Sequence, residues 1–142
     1  IIENSINEGF SKNDFLTQDS IKLKIDLVVD DNEIDDIVAS AFEGGIMSQW
    51  CTKVEVVGNY LGDYASEQIS RGGELLIYAA KERYVLSKDK LLKAFPLYVT
   101  NPHPYYFLEE RDNKLHIDMN YVDAVVADML IQYAIFGKII YG

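Results

Sequence analysis

Cysteine, histidine and proline are scarce in this chain of 142 residues, which carries one, two and three of them respectively. A lone cysteine, Cys51, excludes an internal disulfide, a CxxC motif and a thiolate cluster for zinc, and it suits a reducing, cytosolic setting. The imidazoles are His103 and the one in His116-x-Asp118, and a metal site needs three or four ligands, so neither a metal nor a cofactor is expected. Long apolar runs are missing too: residues 121–141, the greasiest stretch, are broken by Asp123, Asp128, Gln132, Gly137 and Lys138, which excludes a membrane span. Cations are the minority charge, with 13 Lys plus Arg against 23 Asp plus Glu and a net charge of −10. Neutralising nucleic-acid phosphates takes a clustered basic surface that these dispersed cations do not supply, so the expected partners are basic proteins, neutral ones or copies of the chain. The opening residues show no leader pattern, and with Ile1 in first place no targeting inference is taken from them.

What is present suffices for one core: hydrophobic residues make up 49% of the chain, at a length that needs no staples. Residues 1–20 are polar with isolated Ile2, Ile6, Phe10 and Phe15, the pattern of an N-terminal arm that docks on its own domain or on a neighbour. Residues 21–142 read as a single α+β domain with an antiparallel or mixed sheet, three or four helices and a buried C-terminal helix. Alternation of Ile21, Leu23, Ile25 and Leu27 predicts a half-buried strand. Asp30 and Glu33 have capping-box spacing, and Ile34, Ile37, Val38, Ala41 and Phe42 give a helical stripe that stops at Gly44-Gly45.

Further along, residues 50–57 predict a strand, residues 63–70 a short helix ended by Gly72-Gly73, and residues 74–79 and 84–87 a hairpin around Ala80 to Arg83. A helical turn or two after Lys88 should end or kink at Pro96. Asn101-Pro102-His103-Pro104 marks a loop, and residues 105–117 a second hairpin turning at Asp112-Asn113-Lys114. Residues 120–136, apolar nearly all round, predict a final helix buried at the centre or against another subunit.

The chemistry-bearing residues form three groups. Tyr60, Asp63, Tyr64, Glu67 and Arg71 are linked by i,i+4 spacings and make a candidate polar recognition patch if their segment is helical. Asp31, Asp35 and Asp36 crowd the first helix start together with Asp30 and Glu33, beyond what capping requires, and make a candidate acidic binding face. Asp123 and Asp128 lie in an apolar run, so at least one should be paired. Arg71 is expected to pair with Glu67 locally or with Asp128 at long range. No catalytic residue emerges; Cys51 reads as a small buried hydrophobe rather than a nucleophile.

The segments AFEGGIMSQWCTKVEVVGNYLGDYASEQISRGGELLIY (41–78) and VDAVVADMLIQYAIFGKIIYG (122–142) resemble short uncharacterised proteins carried by phages and mobile elements of Gram-positive bacteria. The carriers of the likeness are the EGG run with its following tryptophan, YASEQISRGG, and the closing Asp/Gln-containing helix ending in Phe-Gly. The resemblance implies a setting, a small intracellular protein of a mobile element, and brings no activity or catalytic residue with it.

The resulting expectation is a non-catalytic, acidic accessory or inhibitory factor in the host cytosol that engages a basic, nucleic-acid-binding protein through Asp31, Asp35, Asp36 and the Tyr60 to Arg71 set. Two alternatives stand beside it: an oligomeric small-anion or nucleotide binder using Arg71 and the Gly72-Gly73 turn, and an enzyme using carboxylates and His116. A homodimer is also expected, because ten tyrosines and six phenylalanines, with Tyr105-Tyr106-Phe107 after the proline-rich loop, exceed what one small core hides.

Overall fold

A computed structural model describes residues 19–24, 26–100 and 108–142. The elements are β1 (Leu27–Val28), α1 (Asp31–Glu43), β2 (Lys53–Val56), β3 (Leu75–Ala79), β4 (Glu82–Leu86), α2 (Lys88–Val99), β5 (Leu108–Arg111), β6 (Lys114–Ile117) and α3 (Ala124–Phe136). They form one α+β domain with two three-stranded sheets. One is antiparallel, in the order β2-β3-β4; the other is mixed, in the order β1-β6-β5, with β1 parallel to β6.

The α1 helix starts where its capping box predicts: the Glu33 N–H donates to Asp30 Oδ1 and the Asp30 N–H donates to Glu33 Oε1. Its apolar stripe buries Ile34, Ile37, Val38 and Ala41 against α3, which also packs on α2 and β4 and so lies at the centre of the domain. At the crossing of α1 and α3, Gly44 leaves no room for a side chain, since a Cβ there would run into Ala124. The rest of the core comes from alternate residues of β3 (Leu75, Ile77, Ala79), from Leu91, Ala94 and Phe95 of α2, and from Leu130 and Ile131 of α3.

Five sequence expectations need correction. Among the described residues the strand foreseen from Ile21 is confined to Leu27–Val28, and Ile21 and Leu23 are exposed. The register Leu27↔Leu115 puts the start of the ladder one residue past Lys114, where β6 itself begins. Residues 63–70 form a 3₁₀ turn at Ala65–Glu67 instead of an α-helix, because the Glu67 and Gln68 side chains take up nearby main-chain groups. The first hairpin turns on Ala80-Lys81 alone, with Ala79 paired to Glu82.

Helix α2 runs through Pro96 to Val99. The N–H that proline lacks would have bonded to the carbonyl of Leu92, a residue on the exposed face, while Thr100 donates to the Pro96 carbonyl through both its N–H and its hydroxyl. Finally, α3 begins at Ala124 after a 3₁₀ turn at Met119–Tyr121, and Asp123 is its N-cap rather than a buried acid, accepting from the Val126 N–H at 2.9 Å. The expected arm, apart from residues 19 and 20, the 101–104 loop and the aromatic run 105–107 lie outside the described residues.

Candidate functional site

The connection between β2 and β3, residues 57–74, is long for a compact domain, and its neck is closed by the Val57 N–H donating to the Glu74 carbonyl at 3.1 Å. Loops of this length without regular structure are uncommon unless they serve a function or are disordered, and this one is pinned from inside. Buried Gln68 receives the Leu61 N–H on Oε1 at 2.9 Å and donates from Nε2 to the carbonyls of Asn59 (3.0 Å) and Val57 (3.5 Å). Glu67 Oε1 accepts from the Asp63 N–H at 2.8 Å. Two glycines allow the close packing, since a Cβ on Gly62 would strike Glu67 and one on Gly73 would strike the Gln68 amide. The bonds of buried Gln68 point inward, and the loop displays Tyr60 and Tyr64, 61% and 68% exposed, beside the exposed Val57 and Leu61.

This loop lies against the acidic start of α1. Arg71 joins the two, with Nη1 3.8 Å from Glu67 Oε1 and 3.9 Å from Asp35 Oδ2, while Asp35 Oδ1 is buried without a hydrogen-bond partner. Lys88 Nζ reaches Asp31 Oδ1 at 3.0 Å and the Ser70 carbonyl at 3.5 Å, tying the α2 start to α1 and to the loop's end. Asp36 and Asp63 are exposed. The two sequence-derived groups, the acids of α1 and the Tyr60 to Arg71 set, are therefore parts of one face. Gln68, which organises that face, lies within the YASEQISRGG run but escapes the spacing argument that picked out its neighbours.

The expected long-range pairing of Arg71 with Asp128 is not found. Asp128, 4% exposed, instead accepts from Trp50 Nε1 on Oδ1 at 2.7 Å and from Gln132 Nε2 on Oδ2 at 2.8 Å. The reason is placement: Arg71 lies at the α1 start, whereas the inner face of α3 turns Asp128 toward the segment after α1. As for an anion site, two carboxylates already flank Nη1 of the Arg71 guanidinium, and their charge opposes an incoming anion.

His116 sits on β6 opposite Glu109, and Asp118 is spent on capping the Met119–Tyr121 turn, accepting from the Asn120 N–H at 3.1 Å. Among the described residues no group of three or more His, Cys, Asp or Glu side chains could hold a metal ion, and His103 lies outside those residues. Cys51 borders a small hollow of about 200 Å³ with Phe42, Met47 and Ser48. Its thiol pKa is pushed up, chiefly by burial, with the neighbouring Asp128 charge adding to the rise and local backbone hydrogen bonds opposing it. A high thiol pKa is the opposite of what a nucleophile needs.

No protein-family model, curated protein or solved structure is significantly similar to this chain.

Proposed function

We propose that this protein works by binding another protein, non-catalytically, through the face formed by the 57–74 loop and the start of α1. The observation that carries the reading is the Gln68-pinned loop: buried side-chain hydrogen bonds hold a long connection in one shape, and what that shape presents to solvent is Tyr60, Tyr64, Val57 and Leu61. Tyrosines on a main chain fixed beforehand give large contact area at small entropic cost, the usual make-up of an interaction hot spot. The acids around them, Asp31, Asp35, Asp36, Asp63 and Glu67, outnumber Arg71 and Lys88, so the field at the rim favours a basic partner and speeds its approach at low salt. An accessory or inhibitory factor of a phage or mobile element, acting in the host cytosol on a nucleic-acid-binding protein, fits both this face and the sequence resemblance. The anion-binding alternative is weakened by the two carboxylates on Arg71, and the enzymatic one by the scatter of His116, Asp118 and Cys51 over separate elements.

Affinity capture with the native protein, with Tyr60→Ser/Tyr64→Ser and with Asp36→Lys/Asp63→Lys is the test. All four positions are exposed and make no core contact, so folding should survive, as a thermal melt would verify. A partner held by the native protein should be lost by the tyrosine variant and held more weakly, with less salt dependence, by the charge variant. Equal retention by all three proteins would overturn the proposal.

A further inference from the structure

The segment after α3 is held in an unusual way. Gly137 ends the helix in the left-handed conformation (φ 74°), and residues 138–142 fold back across α3 as a strap. One fully buried side chain, Gln132, reads its main chain: Oε1 accepts from the N–H groups of Ile140 and Tyr141, both at 2.9 Å, and Nε2 donates to the Tyr141 carbonyl at 3.1 Å. The second Nε2 hydrogen goes to Asp128, which also fixes Trp50, and the Trp50 indole stacks on the Tyr141 ring with centroids 5.1 Å apart and planes 2° from parallel. The slot thus recognises two consecutive main-chain N–H groups, one carbonyl and one aromatic ring. It makes no use of the connection, Gly137-Lys138, and leaves Ile139 and Ile140 exposed.

We propose that this slot also takes the strap of a second copy of the chain, so that the protein forms a strap-exchanged homodimer in which each copy supplies Tyr141 to the other's Trp50–Gln132 site. Two features argue for it. The hydrogen bonds and the stack lie beyond the hinge, so they form equally well from another chain, which makes exchange a low-cost route to association. The hinge glycine sits at a φ that an extended connection does not require. Tethering raises the effective concentration of the strap for its own slot, so the closed monomer dominates in dilute solution and exchange grows with concentration. This proposal is independent of the tyrosine-loop reading and does not involve that face.

The test is sedimentation of the full chain from micromolar to millimolar concentration, alongside a variant with Lys138 deleted, whose shortened hinge disfavours closure on its own slot. The mass of the native protein should rise toward two chains with concentration, and the deletion variant should be dimeric throughout. Adding Tyr141→Ala to the deletion should return it to one chain. If the deletion variant does not fold, Gly137→Val, which disfavours the closed hinge without shortening it, serves in its place with the same expectation. A folded hinge variant that stays monomeric at every concentration, or that dimerises equally well with Tyr141→Ala, overturns the proposal.

Discussion

Two aspartates five residues apart in one apolar run illustrate what single positions contribute. Asp123 caps α3 at its edge, whereas Asp128 lies at the hub of a buried network with Trp50 and Gln132. Removing a cap costs about 1 kcal/mol. Removing Asp128 strands a buried indole N–H and a buried amide donor together, so Asp128→Ala should cost about 3 kcal/mol. Denaturant midpoints on the two alanine variants check the difference, and equal shifts would contradict it. The sequence makes plain that charge in this run needs a partner, but not which acid is inside. That choice depends on where the helix begins, and the 3₁₀ turn at Met119–Tyr121 moves the start to Ala124. Cys51 supplies a pH-dependent expectation. Because burial raises its thiol pKa, the folded protein holds the proton to higher pH than an open thiol does. Alkylation by iodoacetamide should therefore accelerate only at a pH above that of the denatured chain, and coincident pH–rate profiles would refute the shift.

At the scale of elements, the two hairpins make a natural comparison. Both turn on two residues with positive φ: Ala80 and Lys81 at 51° and 66°, Asp112 and Asn113 at 55° and 62°. These are the conformations of a type I′ turn, which Asn, Asp and Gly adopt readily and alanine does not. The second hairpin is accordingly legible at Asp112-Asn113, although Lys114, expected in that turn, opens β6 opposite Arg111, while the first is expected over Ala80 to Arg83 because nothing in Ala-Lys signals a tight turn. The pairing of β3 with β4 imposes it. Replacing Ala80-Lys81 with Asn-Gly should relieve the turn and stabilise the protein by about 1 kcal/mol, measured as a higher denaturant midpoint with an unchanged slope. Helix α1 was readable to its cap because stripe, capping box and glycine stop all agree. The 57–74 loop was not, since its shape rests on Glu67 and Gln68 bonding to main chain that sequence spacing does not bring near.

At the scale of the molecule, the α+β class and the burial of the last helix follow from hydrophobic period alone, and the domain bears them out: α3 touches α1, α2 and β4. The division into two sheets was not visible, because strand partners are set by register and by where neighbouring strands stop. The candidate face was half visible. Its charges and tyrosines stand out in the sequence, whereas their union across α1 and the loop depends on Arg71 and Lys88 bridging elements far apart along the chain.

The strap has an optical consequence. Trp50 is the chain's only tryptophan, and the structure holds its indole nearly parallel to the Tyr141 ring, with Phe136 leaning on both and Tyr84 edge-on to Phe136. A chromophore fixed in so asymmetric a setting gives strong near-ultraviolet circular dichroism, and that signal reports packing separately from secondary structure. Tyr141→Ala should lose most of the tryptophan band in the near ultraviolet while the far-ultraviolet spectrum keeps its native shape, and retention of the full band would mean that Asp128 and Phe136 fix the indole without Tyr141.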